Sequence, residues 1–229
     1  MIKVGLIGAG HLGKIHLNIL NNSDFELIGF HDTDISNSKK LSVEKGYYFF
    51  RELDSLIDKI DAAVIVSPTT THFEIAKKCI NKGIHIFVEK PLTTNSNEAK
   101  IINSLSEEKG IIGQVGFVER YNQAFISCKE FIKKPRFIES HRLSDFNPRG
   151  TDVSVIMDLM IHDIDIILNL NNSKVRKIDA SGVSIISSTP DIANARIEFD
   201  DGCIANLTTS RISLKKMRKT RIFQEDAYI

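Results

Sequence analysis

The chain has 229 residues, 42% of them hydrophobic, and 30 basic against 29 acidic side chains give a formal charge of +1. That length suits two modest domains or one large one with a real core, and near-neutrality removes the electrostatic case for nucleic acid or an anionic membrane as main partner. The 3 cysteines, Cys79, Cys128 and Cys203, are odd in number and lack a C-x-x-C, so reduced thiols in a cytoplasmic protein are expected rather than a disulfide framework or a zinc site.

The first apolar stretch, 2–7, predicts a buried strand that runs into Gly8-Ala9-Gly10-His11-Leu12-Gly13, after which Leu12, Ile15, Leu17, Ile19 and Leu20 set a helical pattern. Nothing in it is long enough for a signal segment, and no later stretch approaches a membrane-spanning length. Strand, glycines, helix is the context a dinucleotide-binding turn requires. The first glycine makes the tight turn, the second lets the backbone approach a pyrophosphate, and the third lets helix and strand pack, with the helix N-terminus facing the phosphates. Gly8, Gly10, His11, Leu12 and Gly13 are therefore candidate cofactor contacts.

A second strand over 25–30 leads to Asp32, nineteen residues beyond Gly13. A carboxylate there accepts from the 2′ and 3′ hydroxyls of NAD and repels the 2′-phosphate of NADP, which predicts a preference for NAD. Asp34 reads instead as the N-cap of the next helix. Helices are expected over about 35–45 and 52–59, then a strand over 62–66 that ends in Ser67-Pro68-Thr69-Thr70-Thr71-His72. Thr70 or Thr71 is expected to cap the helix that follows to about Asn81.

The strand over 84–88 closes on Glu89-Lys90-Pro91. An acid, a cation and a rigid stop meet there, at the carboxyl end of a strand, where ligands sit in doubly wound sheets. Pro91 biases Lys90 toward extended geometry, so its Cα is held still and its amine can meet a substrate hydroxyl; the other reading is an ordinary solvated ion pair. Asn95 or Ser96 opens a helix to about 109, and 111–115 is the last strand of a domain spanning 1–118. Alternating strands and helices predict a Rossmann doubly wound α/β fold with a parallel sheet.

After Phe117 the pattern changes. Arg120-Tyr121-Asn122 leads a helix to about 133, a strand covers 136–143, and a polar loop carries Asp145, Asn147, Pro148, Arg149 and Gly150. A mostly apolar helix over 155–170 carries Asp158, His162, Asp163 and Asp165. Asp158, His162 and Asp165 are spaced i, i+4 and i+7 and are expected to share one face. An acid one turn from an imidazole can orient it and raise its basicity, as a general base needs; a satisfied helix-end network is the alternative, and a metal site is disfavoured because no further His or Cys is in reach. Strands over 175–186, 193–199, 203–210 and 218–223 predict an antiparallel sheet, so 119–229 reads as an α+β domain. Lys215, Lys216, Arg218, Lys219 and Arg221 read as a solvated face; nucleic-acid binding through the Arg211 to Arg221 cluster lacks interleaved aromatics. The last residues look like a turn entering another strand, so the chain is expected to be incomplete at that end.

In order, Gly8-x-Gly10-x-x-Gly13-x-x-His16, Asp32, Pro68 with His72, Glu89-Lys90-Pro91, Gly116-Phe117 with Arg120-Tyr121-Asn122, and Asp158 with His162 resemble the signatures of the Gfo/Idh/MocA oxidoreductases over almost the whole chain. The resemblance implies a nicotinamide cofactor working on a sugar or cyclitol hydroxyl, and a second domain whose open antiparallel sheet mediates homo-oligomerisation. It also implies cofactor contacts at Ser67, Pro68, Thr69, His72, Glu89 and Lys90. Lys90, Asp158 and His162 would be catalytic and, with Arg120, Tyr121 and Asn122, would contact substrate. His162 would remove the hydroxyl proton as hydride leaves the same carbon, while Lys90 hydrogen-bonds the developing alkoxide. The runs Glu119 to Asn122 and Asp158 to Asp165 look most like UDP-N-acetylglucosamine 3-dehydrogenases. Met160, where many members have glycine, and Gln123, where proline is common, leave a free sugar or inositol as an alternative substrate. A non-catalytic NAD-binding sensor or an inactive truncated member is the competing class.

Overall fold

A computed structural model describes residues 1–147 and 153–229. Pro148, Arg149 and Gly150 of the expected polar loop lie outside the described residues. The chain divides into two compact units, Met1–Gly116 and Phe117–Ile229.

The first unit is a six-stranded parallel sheet. In chain order its elements are β1 (Lys3–Ile7), α1 (His11–Asn21), β2 (Glu26–His31), α2 (Ile35–Lys45), β3 (Phe49–Phe50), α3 (Leu53–Ile57), β4 (Ala62–Ile65), α4 (Thr69–Asn81), β5 (His85–Val88), α5 (Ser96–Glu108) and β6 (Gly113–Val115). Spatially the strands run β3-β2-β1-β4-β5-β6, so the order reverses between β1 and β4. A crevice outside the carboxyl ends of those two strands is where such sheets bind ligands. Burial on both faces follows from the sequence: Val4 and Leu6 of β1 enter one apolar cluster with Leu17 and Phe30, and Ile7 enters the other with Leu56, Ile65 and Ile80. In that second cluster Cys79 is buried, which pushes its thiol up to about 12 and leaves it unreactive.

The helix boundaries follow local chemistry. Asp34 caps α2 by accepting from the Asn37 amide at 3.0 Å, and Asn95 caps α5 by accepting from the Asn97 and Glu98 amides. Thr70 and Thr71 do not cap α4: Pro68 holds the N-cap position, and the Thr71 hydroxyl donates to the Pro68 carbonyl at 2.8 Å from inside the helix. The two-residue strand β3 has no counterpart in the sequence pattern, because two residues are too few to show a period.

The second unit begins with a 3-10 turn, Val118–Tyr121, followed by α6 (Gln123–Lys129), β7 (Phe137–Leu143), a π-helical turn Ile156–Met160 leading into α7 (Ile161–Leu170), and strands β8 (Val175–Val183), β9 (Ile192–Phe199), β10 (Ile204–Ser210) and β11 (Met217–Phe223). The sheet order is β11-β7-β10-β9-β8. It is mixed rather than wholly antiparallel, because β7 inserts between β10 and β11 and pairs with β10 in parallel. Turn signals report only neighbours along the chain, and β7 reaches its place from far upstream. One face of the sheet is covered: Ile138 of β7, Ala195, Ile197 and Phe199 of β9, Leu207 of β10 and Ile222 of β11 pack with Val155, Met160 and Ile167. Strand β8, by contrast, is exposed along its length.

Candidate active site

The glycine turn is built so that two glycines are filled by the protein and one is not. Gly8 has φ +97°, and a Cβ on it would lie 2.5 Å from the Ser67 nitrogen. A Cβ on Gly13 would lie 1.9 Å from the Gly8 carbonyl oxygen, which is the close helix-to-turn packing a third glycine allows. Around Gly10 a Cβ would meet nothing within 4 Å. The bare edge at Gly10 therefore faces open space at the N-terminus of α1, where no side chain caps the first turn. Those unclaimed amides, and the absence of a Cβ, fit the pyrophosphate of a dinucleotide. His11 and Leu12 are exposed on that same first turn.

At the end of β2, Asp32 reaches back to the turn. Its Oδ2 accepts from the Ala9 amide at 2.6 Å and its Oδ1 from the Asp34 amide at 2.8 Å. A carboxylate has about four lone-pair positions, so two such bonds fix the group and leave acceptor capacity for ribose hydroxyls.

The loops after β4 and β5 are tied together. His72 is 1% exposed, with Nδ1 3.0 Å from the Pro91 carbonyl and Nε2 2.8 Å from the Ser67 carbonyl. A neutral ring donates to one of the two and an imidazolium to both. The Ser67 hydroxyl lies 2.7 Å from that of Thr71, Thr69 is buried, and Pro68 is exposed. Glu89 is 6% exposed, which rules out the ordinary solvated pair. Its Oε1 meets His16 Nε2 at 2.9 Å, and its Oε2 accepts from the Lys90 amide at 3.1 Å. Lys90 itself is half-buried and is joined to Pro91 by a cis peptide. Both Glu89 and His72 thus spend their polar atoms inside the unit.

In the second unit His162 is buried at the start of α7, and half-buried Asp158 lies in the π turn before it. The wider turn changes the register that an unbroken α-helix would give, and such insertions recur at functional sites. Of the expected set, Asp165 is engaged by a residue outside the helix. Asp165 accepts from Arg120 Nε at 2.7 Å and Nη2 at 2.5 Å, and the guanidinium lies over the Phe117 ring. Asn122 caps α6 through the Ala124 amide and donates to Glu119 at 3.1 Å, whereas Tyr121 is exposed. Arg120 and Asn122 thus each have a partner within the unit.

Several residues here carry no motif. Arg142 occupies an inward position of β7, in step with Ile138 and Ser140, and grips Asp163 with two 2.9 Å bonds while reaching Glu119 at 3.1 Å. Burial alone would raise the Glu119 carboxyl, but the Arg142 charge, with bonds from Asn122 and Arg142, holds it below the usual range. An arginine at an inward strand position, followed by an acid-rich helix, was the available signal. Arg211 is likewise buried: it lies 3.5 Å from Asp191 and donates to the Val153 and Pro190 carbonyls. Arg218 pairs with Glu119, Arg221 with Glu139 and Lys216 with Asp145, so the basic cluster is largely neutralised by local acids.

With this geometry in place, a family model described as an oxidoreductase family with an NAD-binding Rossmann fold matches residues 2–117, and the GFO/IDH/MocA C-terminal domain matches 132–229. The chain belongs to the Gfo/Idh/MocA family. It is thereby an oxidoreductase with an NAD-binding Rossmann domain, a dehydrogenase of CH–OH groups. It is 33% identical over 99% of its length to a UDP-N-acetylglucosamine 3-dehydrogenase of Acidithiobacillus ferrooxidans, spanning 72% of that relative. A solved structure of that enzyme superposes with a TM-score of 0.94, covering 99% of this chain and 75% of the other. It is also 30% identical to the scyllo-inositol 2-dehydrogenase (NAD(+)) of Bacillus subtilis, over 93% of this chain and 68% of that one. A myo-inositol 2-dehydrogenase structure from Lactobacillus plantarum, 22% identical with a TM-score of 0.89 over 100% of this chain and 75% of the other, shares the fold. Among the described residues no helix is long and apolar enough to cross a membrane.

Proposed function

We propose that this Gfo/Idh/MocA member oxidises a secondary hydroxyl of a nucleotide sugar, UDP-N-acetylglucosamine at C3, using NAD in preference to NADP. The observation that carries the substrate is the identity to the Acidithiobacillus enzyme over nearly the whole chain. Cofactor choice rests on Asp32, whose carboxylate is locked against the glycine turn where a 2′-phosphate would be repelled. The cofactor supplies the hydride chemistry. Gly8, Gly10, His11, Leu12 and Gly13, with the Ser67 to Thr69 loop, bind and orient it. Lys90 donates a hydrogen bond to the oxygen as it becomes an alkoxide, His162 takes the hydroxyl proton, and Asp158 orients the imidazole. Tyr121, exposed beside Arg120, is the substrate contact of its tripeptide, with Arg120 and Asn122 shaping its surroundings.

The test is NADH formation with a panel of UDP-sugars, free sugars and inositols. Turnover of UDP-N-acetylglucosamine is expected; turnover of free polyols alone would select the second reading, an inositol dehydrogenase, which the identity to the Bacillus enzyme favours. Titration by nucleotide fluorescence should give much tighter binding of NADH than NADPH, with Asp32→Ala narrowing the gap. Equal affinities in the wild-type chain would remove Asp32 from its role.

The same reading places the protein in the cytoplasm, as its free cysteines suit, and joins copies through the second sheet. Exposed β8, with Ile178 61% and Val183 56% accessible beside Ile185 and Ile186 at 60%, supports that interface. Light scattering that returned only the monomer mass would refute it.

A further inference from the structure

Within the first unit, two histidines from different helices, half-buried His16 and buried His72, grip the chain on either side of Lys90. Before it, His16 on α1 bonds the Glu89 carboxylate, and that carboxylate accepts from the amide of Lys90 itself. Beyond it, His72 on α4 lies against the carbonyl of Pro91. The space for Glu89 is provided by Gly116, where a Cβ would fall 2.8 to 3.0 Å from three atoms of the carboxyl group. A buried carboxylate is costly unless satisfied, and here its partners are an imidazole and a main-chain amide rather than any group left facing solvent. An acid retained at such a cost in a strand end does something an apolar residue would not.

We propose that His16, Glu89 and His72 are positioning residues that hold the main chain of Lys90, and that Glu89 and His72 act without contacting the cofactor. His16 lies one turn along the helix whose first amides face the open edge at Gly10, and α4 begins at the loop after the neighbouring strand. The frame therefore references the lysine to the two helices that border the switch point of the sheet. Displacing a donor by a fraction of an ångström weakens its interaction with a developing charge more than it weakens ground-state binding. This inference rests on Lys90 being the donor to the reacting oxygen.

The test pairs kinetics with a measurement that needs no substrate. Glu89→Ala and His16→Ala should lower kcat by roughly tenfold to a hundredfold while the Kd for NAD changes less than about twofold. Glu89→Gln, which keeps an acceptor for the Lys90 amide, should restore most of the rate. In parallel, hydrogen exchange at the Lys90 amide, read by NMR on the whole chain, should quicken at least about tenfold in Glu89→Ala and stay near wild type in Glu89→Gln. If Glu89→Ala fails to fold, His16→Gln and His16→Ala carry the same comparison. NAD affinity that falls in step with the rate would make Glu89 a cofactor contact and overturn the proposal, as would unchanged exchange at Lys90. A wild-type chain that turns over no sugar would count against the assigned function, yet the exchange result would still decide whether the frame exists.

Discussion

The two units reach the same end, a held functional group, by opposite means. In the first, main-chain geometry dominates: glycines that only a bare backbone can satisfy, an uncapped helix start, and a carboxylate locked on two amides. In the second, the helix bearing His162 is fixed by charge, with Asp163 gripped by Arg142 and Asp165 by Arg120. Backbone devices tolerate little change in residue type but need no partner of opposite charge. Buried ion pairs need their partner absolutely, and its loss leaves a charge without compensation.

The largest expected effect follows from that contrast. Arg142→Met leaves Asp163 buried beside no cation and should destabilise the protein by about 3–5 kcal/mol in urea unfolding. Adding Asp163→Leu should recover much of the loss, because Glu119 keeps Arg218 at 3.1 Å. If the double variant is no better than the single, the arginine acts through packing and the contrast between the units weakens.

Next comes a pair of glycine substitutions. Gly8→Ala puts a Cβ on a residue at φ +97° and against the Ser67 backbone, and should cost about 2–3 kcal/mol of stability. Gly10→Ala should change stability by less than about 0.5 kcal/mol and yet weaken NAD at least about tenfold, since its methyl would occupy only the ligand's space. Gly10→Ala with unaltered NAD affinity would mean that the open edge is not the phosphate cradle.

The smallest effect is in acid. Amides of Ser187, Ile185 and Ile186 hold the Asp191 carboxyl below its usual range against the opposing effect of burial. A lowered folded value adds stability that is complete above the ordinary carboxylate range, near pH 4, and is lost as pH falls through the folded value. The urea midpoint should therefore drop more between pH 7 and pH 3 in wild type than in Asp191→Asn, which has no charge to lose. Parallel curves would contradict the assignment.

The legibility of the two units in the sequence differs for the same physical reason. Gly8 to Gly13, Asp32 and the Glu89-Lys90-Pro91 stop declare themselves because each closes an apolar strand run with a short, recognisable sequence. The frame around Lys90 is only half visible: His16 stands in the glycine motif, but its bond to Glu89 closes over 73 residues and appears only once β5 lies beside α1. Arg142 with Asp163 and Arg120 with Asp165 are separated by 21 and 45 residues, so no spacing rule pairs them. At Asp158, His162 and Asp165 spacing predicts one shared face, and it shows neither the π turn at the start of the run nor the pairing of Asp165 with Arg120. The parallel placement of β7 beside β10 is hidden likewise, since it depends on strand order and not on turn chemistry.

The proposed roles of Lys90 and His162 at the reacting hydroxyl are tested most directly by steady-state turnover of the best sugar with NAD, alongside NAD affinity. Lys90→Ala and His162→Asn should each lower kcat by on the order of a hundredfold or more with NAD binding little changed, and Asp158→Asn should act more mildly because its proposed role is only to orient the imidazole. Turnover that survives His162→Asn unchanged would contradict the account.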